Sequence, residues 1–164
     1  MKNVLFFDMD GVLADFEGGL GGDFKNMFAT GFFKTLPVIE NGLNETMEEL
    51  QQQGYVIKIL SKACVKRNDK RFVGQVNDKI DWVKEYIPCI NTDNIIIQAT
   101  DEAKGDILAN IDLEVNACYL VDDYTPNLAV WSFAGGLCIK KAKRIKNRSF
   151  KQILNVVELA NEGV

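Results

Sequence analysis

The chain has 164 residues, 47% apolar and 26% charged, which fits one globular domain with a single substantial core and room for a small insertion. Its formal net charge of −4 repels polyanions, and a basic stripe for nucleic acid could come only from Lys140, Lys141, Lys143, Arg144, Lys146 and Arg148. There is no histidine, which excludes Ser-His-Asp and Cys-His catalysis, histidine-ligated zinc and any imidazole base, and leaves proton transfer to carboxylates, lysine, tyrosine or cysteine.

The basic run has two readings, a solvated loop leading into a helix or a rim that faces phosphate. Cys64, Cys89, Cys118 and Cys138 form no C-x-x-C pair and sit in or beside apolar runs, so free buried thiols are expected rather than disulfides or a metal site. The N-terminal run meets Asp8 too early for a signal peptide's apolar core, and no apolar stretch approaches the length of a membrane span. A soluble cytoplasmic protein is expected, with neither membrane nor nucleic acid among its partners.

Taken in chain order, Asn3 to Phe7 is a short, nearly continuous apolar run that ends at Asp8, the pattern of a strand buried on both faces of a parallel sheet. Residues 16 to 36 follow, with Gly18, Gly19, Gly21, Gly22 and Gly31 among several phenylalanines. This segment reads either as a mobile flap or as a long connection with some core phenylalanines. Glu40 to Gln53 carries Leu43, Met47 and Leu50 at helical spacing and is stopped by Gly54. Tyr55 to Leu60 is a second strand, ending at Ser61; Val76 to Tyr86 is a helix with Ile80 and Val83 inward; Asn94 to Ile97 is a third strand. Ala117 to Val121 and Leu137 to Ile139 complete five strands, separated by a helix that starts near Pro126 and closes at Gly135-Gly136. Ser149 is a plausible N-cap for a last helix, in which Ile153, Val156, Val157 and Ala160 share a face. Alternation of this kind predicts an α/β fold: a three-layer, doubly wound, parallel five-stranded sheet forming one domain over 1–164, with residues 16–36 as a small insertion after the first strand.

Ligands of open α/β sheets bind outside the carboxyl ends of the strands. Strand one delivers Asp8 and Asp10 there, strand two Ser61, the region after strand three Lys104, and strand four Asp122 and Asp123. Lys62 and Lys79 lie near the same edge. Carboxylates gathered this way repel one another unless a cation sits among them, and an all-oxygen donor set favours magnesium. Magnesium would also let an anionic carboxylate approach an anionic phosphorus. An aspartate can then act as nucleophile, with the second carboxylate moving the proton and Ser61 and Lys104 holding phosphoryl oxygens.

The run Asp8-Met-Asp-Gly-Val-Leu-Ala-Asp15 resembles the D-x-D-G-V first motif of the haloacid-dehalogenase superfamily, and Ser61, Lys104 and Asp122-Asp123 match its later motifs in order. The resemblance extends to about Gly136. Phe32-Phe33-Lys34-x-Leu36-Pro37, Leu60-Ser61, Lys79-x-x-Trp82 and Val121-Asp-Asp-Tyr124 narrow it, since together they look like the 5′(3′)-deoxyribonucleotidase branch. That resemblance implies a magnesium-dependent hydrolase of nucleoside monophosphates with strand order 5-4-1-2-3. It implies Asp8 as nucleophile, Asp10 as acid–base with its main-chain carbonyl on the metal, and Asp122 and Asp123 completing the metal site.

The branch's helical cap is longer than the segment here, so Phe16, Phe24 and Phe28 are the candidates to meet the leaving group. The expected partner is a small phosphorylated substrate, and a homodimer is the protein partner left open. Two rival readings share many of these residues: a phosphatase for another metabolite such as a phosphosugar, and a non-catalytic phosphoacceptor module. Receiver-type modules place the acid pair early and a lone acceptor later, whereas here the late site is a pair and Asp10 supplies a proton-transfer group.

Overall fold

A computed structural model describes residues 2–112 and 114–141. Five strands form one wholly parallel sheet: β1 (Lys2–Phe7), β2 (Val56–Lys62), β3 (Ile95–Gln98), β4 (Val115–Asp122) and β5 (Leu137–Lys140), in the spatial order β3-β2-β1-β4-β5. This is the expected order read from the opposite edge. Phe7 pairs with Ile59 on one side and Val121 on the other, which places β1 at the centre and its carboxyl end between those of β2 and β4.

Successive residues of β1 face opposite ways, and each face has its own core. Leu5 and Phe7 pack with Ile57, Ile59 and Val121 beneath α2 (Leu43–Gln52) and α3 (Phe72–Tyr86), whose Met47, Leu50, Trp82 and Val83 are buried. Val4 and Phe6 pack on the other face with Leu60, Leu120, Leu128 and Trp131, the last two from α4 (Thr125–Phe133). Three layers result. Phe6 meets the Trp131 ring edge-on at 5.0 Å, so one aromatic pair ties the central strand to α4.

The element boundaries depart from the sequence expectation in physically legible ways. α2 starts at Leu43 rather than Glu40 because Gly42, at φ +82°, holds a left-handed turn just before it. α3 starts at Phe72 rather than Val76, its first turn closed by Phe72 packing against Ala63 and Ala99. The connection after β3 contains a 3-10 run, Lys104–Asn110, with Lys104 at its start. The proposed last helix from Ser149, and Lys143 to Arg148 of the basic run, lie outside the described residues. The cysteines Cys64, Cys89, Cys118 and Cys138 are all free. Among the described residues no helix is long and apolar enough to cross a membrane.

The insertion after β1 contains α1 (Phe16–Leu20) and two 3-10 turns, Phe24–Phe28 and Phe33–Thr35. Its second half is anchored: Phe32, Phe33 and Leu36 are buried, and Trp82 Nε1 donates to the Leu36 carbonyl at 2.7 Å. Its middle is exposed, with Phe24 at 70%.

Candidate active site

β1 ends at Phe7 and the chain turns sharply at once. Leu13 and Ala14 amides donate to the Met9 carbonyl at 2.8 and 2.9 Å, and Gly11 N donates to Ala14 O at 2.9 Å. The turn keeps Asp8 and Asp10 at the carboxyl edge of the sheet. It also requires glycine at position 11, where φ is +76° and a Cβ would stand 2.4 Å from Asp123 Oδ2. The absent side chain is what lets the loop after β1 and the loop after β4 touch.

Asp8, Asp122 and Asp123 each place a carboxylate oxygen within 4.8 Å of the others. Lys104, completely buried, threads between two of them, its Nζ 3.0 Å from Asp8 Oδ1 and 2.7 Å from Asp122 Oδ2. Asp122 also accepts from the Tyr124 amide at 2.8 Å and from Asn127 Nδ2 at 3.0 Å. Burial pushes the Asp122 carboxyl above its usual range and the Asp8 charge adds to this, while Lys104 opposes it. For Lys104 the balance reverses. Burial works against its charge, but Asp8 and Asp122 outweigh burial, and its pKa lies above the ordinary lysine value.

Asp10 faces a different partner. Its Oδ2 lies 2.5 Å from Lys79 Nζ, and Lys79, buried on α3, also donates to Ser61 Oγ at 3.2 Å and sits 4.1 Å from the centre of the Phe33 ring. Asp10 Oδ1 is buried without a hydrogen-bond partner. Burial raises the Asp10 carboxyl pKa; Lys79 opposes this and the Asp8 charge adds to it. A carboxyl group raised in this way can hold a proton that an ordinary aspartate would have lost.

A cleft of about 820 Å³ opens over these groups, lined by Asp8, Asp10, Lys62, Lys104, Asp123, Asn127 and Lys141 and also by Phe16, Glu17, Ile39 and Glu40. The sequence candidates therefore divide. Asp8, Asp10, Lys104 and Asp123 line the cleft, and Asp122 is buried directly behind it. Ser61 does not line it: the hydroxyl is turned toward α3 and accepts from Lys79. Among the phenylalanines proposed to meet a substrate, Phe16 reaches the cleft and stacks 6.3 Å from Phe33. Phe24 and Phe28 do not reach it. Phe24 is solvated, and Phe28 lies beneath the Arg71 guanidinium, 4.9 Å away. The carboxylate of Asp10 lies outside the aspartate cluster, held away by Lys79.

Sequence reasoning passed over Asn127, and it named Lys141 only within the basic run whose two readings, solvated loop or phosphate-facing rim, it left open. Asn127 gave no signal beyond its place in the first turn of α4. Lys141 directly follows β5 at the same sheet edge, and its ammonium donates to Val12 O at 2.7 Å.

A central parallel strand ending in an aspartate pair, a buried lysine after the third strand and a second aspartate pair after the fourth together define a phosphatase of the haloacid-dehalogenase type. The model of the family described as "5′ nucleotidase, deoxy (Pyrimidine), cytosolic type C protein" matches residues 23–156, and the chain belongs to that family. The match begins after Asp8 and Asp10, so this aspartate pair is carried by the sequence motif and the fold.

Two solved structures share the fold. One is a haloacid dehalogenase-like family hydrolase from Xanthomonas campestris, 14% identical over 98% of this chain and 93% of that one, with a TM-score of 0.53. The other is the HAD domain of the effector protein Lem4 from Legionella pneumophila, 13% identical over 99% and 98% of the two chains, with a TM-score of 0.50. No curated protein sequence matches.

Proposed function

We propose that this chain is a magnesium-dependent phosphomonoesterase that works through a phosphoryl group carried on Asp8, and that its substrates are nucleoside 5′-monophosphates, deoxyribonucleotides included. The observation that carries this reading is the separation of two carboxylates by their partners. Asp8 stands in the aspartate cluster with Lys104, whereas Asp10, two residues on, is turned to Lys79 with one oxygen unpartnered. One carboxylate is thus available to attack and the other to move a proton.

The donor set fits magnesium. Oxygen atoms of Asp8, Asp122 and Asp123 lie within 4.8 Å of one another around a net negative charge that a single lysine does not balance. These three residues would hold the ion, with the main-chain carbonyl of Asp10 as a further ligand. When bound it would neutralise charge between the carboxylate and the phosphoryl group.

The residues then divide the work. An Asp8 oxygen attacks phosphorus, and the ester oxygen leaves with the proton that Asp10 supplies. Asp10, now ionised, takes a proton from water as the water attacks the acyl phosphate, which frees Asp8 and inorganic phosphate. Lys104 holds a phosphoryl oxygen with the donor left over from its two carboxylates. Ser61, the hydroxyl of the second motif, would have to turn from Lys79 toward the cleft to donate its O–H to the phosphoryl group. Phe16, which lines the cleft, offers a flat apolar surface to the leaving nucleoside. Residues 16–36 act as a small flap on a single domain spanning 1–164, and a reducing cytoplasm suits the free thiols.

A second reading, a phosphatase of another small metabolite such as a phosphosugar, is favoured by one observation: Phe24 and Phe28 stand away from the cleft, which leaves little aromatic surface for a base. A panel of monophosphates assayed for phosphate release decides between them. Preferred turnover of dUMP or dTMP is the expected result, and equal or faster turnover of phosphosugars would overturn the nucleotide assignment.

A further inference from the structure

Three of the four lysines on or directly behind the cleft wall are already engaged. Lys104 bridges Asp8 and Asp122, Lys79 holds Asp10 and Ser61, and Lys141 donates to the Val12 carbonyl. Lys62 is different. It lines the cleft, yet among the described residues its ammonium makes no hydrogen bond or ion pair. Ser61 and Lys62 are adjacent at the end of β2, so their side chains leave on opposite faces of the sheet. Ser61 turns toward α3 and Lys79, and Lys62 turns toward the side of Lys104.

Burial, followed by the charge of Lys104, lowers the Lys62 pKa, while Asp122, Asp8 and Asp101 act in the opposite direction. Two ammonium groups that face one cleft repel unless an anion comes between them. A fold that aims a half-buried, unpaired lysine at a second lysine has built half of an anion site.

We propose that Lys62 is a phosphate-binding residue, and that its ammonium together with that of Lys104 clamps the non-bridging oxygens of the phosphoryl group from the β2 side of the cleft. This rests on the phosphatase reading above and extends it. Lys104 shares its charge with two carboxylates, so most of the uncompensated positive charge offered to the substrate comes from Lys62. Ser61 is turned to Lys79 on the other face of the sheet, and Lys62 contributes charge from the wall. The residue acts on the phosphate and not on the leaving group, so it should set affinity for every phosphomonoester and for inorganic phosphate alike.

The test is calorimetric titration of inorganic phosphate into the full chain with magnesium, run on the wild type, Lys62→Met, Lys62→Gln and Lys62→Arg, with KM and kcat for dUMP measured alongside. Loss of one charge-assisted contact should weaken phosphate binding by about ten- to a hundredfold in the Met and Gln variants. Lys62→Arg should restore most of it, and KM should rise in step while affinity for the nucleoside product stays unchanged. Lys62 makes no hydrogen bond or ion pair among the described residues, so thermal melting of the variants should stay close to the wild type, and two neutral variants guard against a fold defect in one. Phosphate binding in both neutral variants as tight as in the wild type would overturn the proposal. Binding that depends on Lys62 in a wild type that turns over no phosphomonoester would keep the anion site and reject the phosphatase reading instead. A wild type that releases phosphate from dUMP yet binds no inorganic phosphate would reject the proposal and keep the phosphatase reading.

Discussion

Lys79 Nζ stands 2.5 Å from Asp10 Oδ2, and this contact joins the catalytic loop to the helix layer of the fold. The lysine comes from the middle of α3, is fully buried, and rests on the Phe33 ring of the insertion and the Ser61 hydroxyl of β2. Three separate stretches of chain therefore fix one carboxyl group. The arrangement keeps Asp10 out of the aspartate cluster while Asp8 remains in it.

Removing that lysine leaves Asp10 facing a buried, apolar pocket. Breaking a buried ion pair from one side is costly, so Lys79→Met should destabilise the protein by about 3 kcal/mol, near the low end of the usual range because Asp10 retains some contact with water. Urea denaturation of wild type and variant measures this. An unchanged midpoint would mean that the pair contributes nothing net to folding.

Gly11 is the point at which the two aspartate-bearing loops meet. Gly11→Ala places a methyl group against the Asp123 carboxylate at a backbone angle that side chains rarely adopt. The variant should lose more than about 1 kcal/mol of stability. It should also lose much of the thermal stabilisation that magnesium gives the wild type, because Asp123 must move. Melting curves with and without magnesium report both effects, and an equal magnesium-induced shift in the two proteins would show that Asp123 does not depend on this contact.

The sheet was legible in the sequence because each strand is a short apolar run closed by a polar residue, although the edge strand β5 is largely exposed, with Leu137 at 48%. That pattern also located Asp8, Asp10, Asp122 and Asp123, since the end of a buried strand is where a parallel sheet displays its ligands. What the sequence could not reveal depends on which face a side chain takes. Ser61 and Lys62 are neighbours on one strand, and only the packing of α3 against the sheet turns the serine to Lys79 and leaves the lysine on the wall. Lys79 could be placed near the edge and in the Lys79-x-x-Trp82 pattern, but its hold on Asp10 depends on packing against Phe33 that no pattern shows. Phe24 and Phe28 are indistinguishable from Phe16 by composition, yet a turn of backbone carries them away from the cleft.

Cys64 lines the same cleft, so its reactivity is a local probe. Burial pushes its thiol pKa up to about 11, with the Lys79 charge opposing and Asp10 adding to the shift. A raised thiol pKa favours the neutral form, so at about pH 8 only about one molecule in a thousand carries the thiolate. Iodoacetamide should spare Cys64 at that pH and label it only as pH approaches the raised value. Mass-spectrometric mapping checks this; rapid labelling of Cys64 near neutral pH would show that the cleft is wetter or more cationic than its geometry indicates.

Chelation tests the metal. EDTA should abolish phosphate release, and magnesium should restore it. Calcium, with its looser and more variable coordination, should restore it poorly. Full activity in EDTA would remove the metal from the reaction.

The most direct measurement is phosphate release from dUMP with magnesium by the wild type, Asp8→Asn and Asp10→Asn, each shown by thermal melting to be folded. The wild type should release phosphate. Asp8→Asn should fall by about 10⁴-fold or more, as expected for loss of a nucleophile, and Asp10→Asn by about 10² to 10⁴-fold, as expected for loss of an acid–base group. Folded Asp8→Asn protein that works at the wild-type rate would contradict the assignment of Asp8 as the residue that carries the phosphoryl group.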